Sequence, residues 1–359
     1  MSKVTHARRR SFGFVAIAVL ATTALAACGS DTKESSATTA ASATTAAGAA
    51  TTAAGAATAA AGSAAPGTAA PGGSSLNLTA DQNRIVPAKI DSIAAEVPEA
   101  IRKSGKLNIG IGAAGAGFPP LAFAATDNKT LIGSEPDIAV LVASVLGLEP
   151  NIQNSSWENL FIGLDAGTFD IGFSNITDTE ERKKKYDFAS YREDNLAFET
   201  LTDADWTFTK AEDLAGKTVA VGSGTNQEKL LLEYAETVKA AGLDEVKIKY
   251  FQDANAVYLA LGSGQVDAYF GPNPTAAYHV ATSGETKIVG AVSGAGATLQ
   301  GLIAATTKKD NGLIKAVNDA LNAVIASGEY AQVLDRWNLA NEAVTTSQLN
   351  PPGLPLTNS

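Results

Sequence analysis

Cysteine occurs once in 359 residues, as Cys28, which excludes an intrachain disulfide and a cysteine cluster for a metal. Histidine is nearly as scarce, with only His6 and His279, so histidine-based chemistry has almost nothing to work with. Metal-ligand spacings and a Gly-Lys-Ser phosphate loop are both missing, and neither a metal nor a cofactor is expected. Basic residues are in deficit, 27 against 37 acidic, for a formal charge of −10. Four of them, Lys3, Arg8, Arg9 and Arg10, lie in the first 27 residues, which hold no acid. The remainder carries no basic patch, which argues against nucleic acid as a partner. Apolar runs are short as well. Phe12 to Leu20 falls well below the ~18 uninterrupted apolar residues of a spanning helix, and no later run reaches that length.

What is present at the start has a clear order. A basic stretch, the apolar run and small residues lead to Leu25-Ala26-Ala27-Cys28, the pattern of a secretory signal peptide over 1–27. Leu-Ala-Ala-Cys-Gly-Ser resembles a lipobox, in which the thiol is acylated and cleavage makes Cys28 the new N-terminus. Acyl chains on Cys28 would hold the protein on the outer face of a bacterial membrane, since several chains anchor where one is marginal. From about Ser35 to Ser75 the chain is almost wholly Ala, Thr, Gly, Ser and Pro, with nothing to build a core. With Cys28 it forms the segment 28–75, read as a disordered tether.

Beyond the tether, strand-like and helical patterns alternate. Lys106 to Gly112, Asn151 to Asn154 and Asp170 to Phe173 read as strands, separated by helical spacing over Asp137 to Leu146 and Trp157 to Ala166. The alternation resumes with strands at Thr218 to Val221, Val246 to Tyr250 and Ala268 to Phe270, and helices at Asn226 to Ala241 and Ala254 to Leu261. Such order predicts an α/β architecture with mostly parallel sheets. Two similar steps, Gly167-Thr-Phe-Asp170 and Gly264-Gln-Val-Asp267, each place a helix-ending glycine before an aspartate that opens a strand. A further strand at Gly301 to Ala305 precedes two helices over Gly312 to Trp337, divided by Gly328.

Several short pieces in this order carry a family resemblance. They are Gly105-Lys-Leu-Asn-Ile-Gly110, Phe118-Pro-Pro, Ile132-Gly-Ser-Glu-Pro-Asp137, Trp157-Glu-Asn-Leu, Gly167-Thr-Phe-Asp170 and Thr179-Glu-Glu-Arg182 followed by Phe188. Asp213-Leu-Ala-Gly-Lys-Thr-Val219, Gly224-Thr-Asn, Gly264-Gln-Val-Asp267 and Gly328-Glu-Tyr continue the series. Together they resemble the bacterial extracellular solute-binding proteins of family 3, the polar amino-acid receptors of ABC importers, from about Val97 to Asn338. The resemblance implies a periplasmic-binding-protein-like α/β fold, with two lobes joined by a two-strand hinge and a ligand cleft between them. Residues 76–104 would form a lead-in, 105–197 plus 301–345 the first lobe, 198–300 the second, and 346–359 a tail. The hinge crossings are expected near Leu196 to Leu201 and Leu299 to Ile303. The implied partners are a small carboxylate-bearing solute, the ABC permease subunits and the membrane, with the protein itself a monomer.

The same resemblance nominates ligand-binding residues. Arg182, among Glu180, Glu181 and Lys183 to Lys185, reads by itself as one charge on a solvated helix. In the family, an arginine at this place after Asp170 and before Phe188 grips the ligand carboxylate, a task suited to a guanidinium fork. Ser174, Asn175 and Thr177 follow a parallel strand, where loops border the crevice, although Thr177 or Thr179 also suits a helix cap. Gly224, Thr225 and Asn226 open a helix whose free N–H groups favour an anion. Trp157 and Phe118 match the aromatic sandwich of the ligand side chain, with core packing as the ordinary alternative. The chain departs from the family where an α-ammonium is read: Gly112 and Pro272 stand at the two positions usually acidic, with Asn273 next to the second. Glu135 or Asp137 is the candidate substitute. The ligand is therefore expected to keep a carboxylate and to lack a free α-ammonium, or to present it to carbonyls and Asn273. Not an enzyme is the expected class, although the same fold hosts dehydratases of cyclic carboxylic acids, and a tethered sensor without transport is a third reading. His279, beside Tyr278, is expected at the surface or a helix end.

Overall fold

The computed structural model describes residues 76–356. The expected signal peptide over 1–27, Cys28, the whole of the segment 28–75 expected as a tether, and the last three residues lie outside that range. No helix among the described residues is long and apolar enough to cross a membrane.

The first lobe is built on the strand Lys106–Ile111. Leu107, Ile109 and Ile111 alternate into the core and are fully buried. This strand pairs in parallel with Glu149–Asn154 on one side and Ile171–Gly172 on the other. The helix Ser134–Val145 packs against it and is buried nearly all round, as its run Ile-Ala-Val-Leu-Val-Ala-Ser-Val requires. The helix Trp157–Ala166 starts at Ser156, whose side chain accepts the Asn159 N–H.

The second lobe repeats the plan. Thr218–Val221 lies between Lys247–Tyr250 and Ala268–Pro272, again in parallel. The repeat extends to detail: Asp170 Oδ2 accepts the Asn108 N–H at 2.8 Å, and Asp267 Oδ2 accepts the Thr218 N–H at 2.7 Å. Each Gly-x-x-Asp step therefore clasps the start of its lobe's central strand.

One strand serves both lobes. Tyr186–Leu201 pairs antiparallel with Gly301–Lys308 over Tyr186 to Asp194, then with Ala268–Pro272 and Thr286–Ser293 over its second part. The result is a nine-stranded sheet in which this strand is shared. Separate apolar clusters lie on either side of the passage. One runs from Val97 to Leu339 and includes the C-terminal helices through Leu321, Val324 and Leu334; the other is centred on Phe198, Val219, Leu231 and Phe270.

Candidate functional site

Three loops of each lobe meet at the carboxyl ends of parallel strands, where open α/β sheets leave a crevice. From the first lobe come Gly112 to Phe118, Ser156 to Glu158, and Ser174 with Asn175. From the second come Gly222 to Gln227, Phe251 to Ala254, and the strand end Tyr269 to Pro272. They enclose a cavity of about 230 Å³. The cleft is closed, and three hydrogen bonds cross it directly: Arg182 Nη2 to the Gly224 carbonyl at 3.2 Å, Gln252 Nε2 to Glu158 Oε1 at 3.1 Å, and the Ala116 N–H to Asp253 Oδ2 at 3.4 Å.

Of the residues nominated from sequence, Phe118, Trp157, Ser174, Asn175, Thr225 and Asn226 line the cavity. Ser174 Oγ accepts the Gly112 N–H at 2.8 Å. A Cβ at Gly112 would sit 3.0 Å from that oxygen, close enough that the hydroxyl would have to shift. Asn175 is held from below: its N–H meets Glu135 Oε2 at 3.2 Å and its Oδ1 accepts from Arg192. Its φ of 51° is a left-handed conformation that asparagine tolerates.

Arg182, Thr177, Gly224 and Asn273 are not in the lining. Arg182 stands beside it, with the guanidinium 5.2 Å from the Trp157 ring and 5.6 Å from Phe161, and it donates to the Thr177 carbonyl at 2.8 Å. Burial pushes its pKa down to about 10, against the pull of Asp194 and Asp178. The guanidinium therefore joins the lobes, its two assigned hydrogen bonds ending on backbone carbonyls. The Gly224 N–H, expected to be free for an anion, donates to Glu228 Oε2 at 2.6 Å. Thr225 caps the helix Asn226–Ala240 by accepting the Glu228 N–H at 3.1 Å. Asn273 opens the helix Asn273–Ser283.

Two acids expected as substitutes for the missing ammonium partners are committed elsewhere. Glu135 is fully buried against the Tyr191 hydroxyl and Arg192, and burial raises its pKa. Asp137 holds Arg84 at 2.8 Å, Arg336 at 3.1 Å and Trp337 Nε1 at 2.9 Å. His279 is also not a plain surface group: its Nδ1 lies 2.5 Å from the buried Glu199 Oε1, and its ring stacks on Tyr258 at 3.6 Å.

Among the residues at the site that were not nominated from sequence are two acids, Asp194 and Asp253. Asp194, buried on the shared strand, accepts from Thr177 Oγ1 at 2.7 Å and Asn226 Nδ2 at 2.9 Å, and its own burial raises its pKa. No pattern in Glu193-Asp194-Asn195 marks it. Asp253 lines the cavity and caps the helix Ala254–Gly262 through the Ala256 N–H at 3.2 Å. Its position just past a parallel strand was a usable signal.

Known proteins bear on this geometry. The family of bacterial extracellular solute-binding proteins, family 3, matches residues 109–340. The arginine-binding protein ArgT of Corynebacterium glutamicum is 29% identical over 74% of this chain and 85% of its own length. The L-cystine-binding protein TcyJ of Escherichia coli K12 is 30% identical over 66% of this chain and 84% of its own. Among solved structures, an ancestral arginine-binding protein bound to arginine superposes with a TM-score of 0.57 at 28% identity, covering 65% of this chain and 98% of that one.

Proposed function

The chain belongs to the bacterial extracellular solute-binding proteins of family 3, and from that premise we propose that it captures an amino acid or amino-acid-like carboxylate in the interlobe cleft and delivers it to the permease of an ABC importer. The observation that carries this reading is the closed cleft itself. Trp157, Phe118 and Tyr269 supply apolar faces, Ser174, Thr225 and Asn226 supply polar ones, and Arg182 stands at the margin with N–H groups left to turn on a ligand carboxylate. Arginine and cystine, for which the relatives are named, are the first ligands to try.

The anchor belongs to the same proposal. Cys28, acylated before removal of 1–27 makes it the N-terminus, tethers the binding lobes through 28–75 to the outer face of the membrane, within reach of the permease. Growth with labelled palmitate should label the wild type and leave Cys28→Ala unlabelled.

A thermal-shift and calorimetry panel of amino acids, with their N-acetylated and deaminated analogues, tests the binding claim. One or more carboxylate-bearing members should bind with stoichiometry near one. Absence of binding across the panel, or turnover of the bound solute followed by mass spectrometry, overturns it. Gly112 and Pro272 set a finer expectation, that blocking or removing the α-ammonium costs little affinity; rejection of both analogues would refute that part alone.

A further inference from the structure

We propose that Asp253 is the specificity-determining residue of this cleft, pairing with a cationic nitrogen of the ligand; the assignment rests on the solute-binding reading above. A cation enclosed between two lobes needs a counter-charge, because an unpaired buried charge is costly. Position 112 is a glycine and position 272 a proline, so neither supplies one. Among the side chains that line the cavity, only Glu158 and Asp253 are anionic.

The two acids are not equivalent. Glu158 is exposed at the rim and already accepts from Gln252. Asp253 is held in place, since Oδ1 is fixed by the cap to Ala256. Its other oxygen, Oδ2, meets only the Ala116 N–H at 3.4 Å, longer than an ordinary N–H···O bond, which leaves it able to accept from a ligand. The opposite lobe closes directly onto this oxygen. Gly115 has φ +70°, and a Cβ there would collide with Asp253 Oδ2, so the loop Gly112 to Phe118 approaches so closely only because it has no side chain at that point. A carboxylate that is pre-oriented, under-bonded and covered on closure discriminates charge more strongly than one on an open rim. The aromatic faces of Trp157 and Tyr269 in the same cavity suit a cation equally.

The cation is either the α-ammonium or a cationic side-chain end, and the test separates these. Calorimetry on the full chain compares L-arginine, L-citrulline, which keeps only the α-ammonium, and 5-guanidinopentanoate, which keeps only the side-chain cation. Asp253→Asn retains a capping side chain, so the helix start survives; Asp253→Ser, also a cap, repeats the test if the first variant folds poorly. The expected result is a loss of ~tenfold or more for arginine and for one of the two analogues, the other being unchanged, as befits a charged hydrogen bond. Loss for arginine and 5-guanidinopentanoate assigns Asp253 to the side chain, and loss for arginine and citrulline assigns it to the α-ammonium. Equal losses for all three, or none, overturn the proposal while amino-acid binding stands. If the wild type binds a neutral amino acid and rejects all three, the same comparison is made with that ligand, and an affinity unchanged in Asp253→Asn overturns the proposal likewise. A wild type that binds no amino acid and none of the carboxylate analogues overturns both readings.

Discussion

The Thr177 hydroxyl donates to Asp194 Oδ2 at 2.7 Å and so ties the loop leading to Arg182 to the strand that passes between the lobes. The same oxygen accepts from Asn226 of the second lobe at 2.9 Å. A protein carboxylate thus already engages the side chains of two residues nominated from sequence as ligand-binding, Thr177 and Asn226. Asp194→Ala would leave the buried Thr177 hydroxyl without its acceptor and Asn226 Nδ2 with only the Gly294 carbonyl, at 3.0 Å. The expected cost is about 1–3 kcal/mol in urea denaturation. A variant as stable as the wild type would mean that water replaces the carboxylate.

Arg182 is expected to read the ligand carboxylate once a ligand displaces its carbonyl contacts. Arg182→Lys keeps the charge but loses the planar fork, and should weaken binding about 10–100-fold, the range of a charge-assisted hydrogen bond. The check is a double-mutant cycle with the ligand's amide. Wild type should prefer acid over amide, and the variant should show much less preference. An unchanged preference would remove Arg182 from the carboxylate's contacts.

Asp178 is a buried acid with neither oxygen hydrogen-bonded, and its nearest cation is Lys183 Nζ at 3.6 Å. Burial raises its pKa from 3.8 to about 7, with Lys183 opposing. The folded state therefore holds this proton more tightly than the unfolded chain. Its stabilisation is fully present below about pH 4 and is lost as pH rises through about 7. Asp178→Asn keeps the shape and removes the titration. Relative to wild type, the variant should gain stability between pH 5 and pH 8, read as the difference between two denaturation midpoints at each pH. A constant difference across that window would show that Asp178 is ionised throughout.

The lobes were legible because their signals are local. The strand Thr218–Val221 and the helix Trp157–Ala166 have the bounds their patterns predict, and Gly167 and Gly264 stand at the ends of helices as expected. The shared strand Tyr186–Leu201 was less so. Buried on both faces for most of its length, it carries Asp187, Arg192, Asp194 and Glu199 where alternation would want apolar residues. Each is satisfied by a partner distant in sequence, such as Glu342 for Arg192 or His279 for Glu199, which no local window contains. For the same reason Arg182 could be chosen by spacing, but its contacts with Gly224 and Trp157 could not be foreseen.

The residues from Ser347 to Pro355 have no sequence pattern that announces order, and they lie beyond the span 109–340 that the family matches. They nevertheless run along the first lobe, where Gln348 accepts from the Ser190 N–H at 3.0 Å and Asn350 Oδ1 from the Phe188 N–H at 2.8 Å. They then reach the Arg182 loop, where the Leu354 carbonyl accepts the Glu180 N–H at 3.0 Å, and end on the second lobe, with Lys229 donating to the Pro355 carbonyl. Leu354 is buried among second-lobe side chains. This segment is a strap across the two lobes, separate from the shared strand. Leu354→Ala should cost about 2–5 kcal/mol, the usual range for emptying a buried leucine site. Truncation after Thr345 removes the strap's hydrogen bonds together with that packing. Hydrogen exchange should quicken at the Glu180, Phe188 and Ser190 amides, while Asn108 and Thr218, held by Asp170 and Asp267 within their own lobes, keep their protection. Uniform acceleration at all five would show that the strap supports the whole fold, and no acceleration would show that it is not seated in solution.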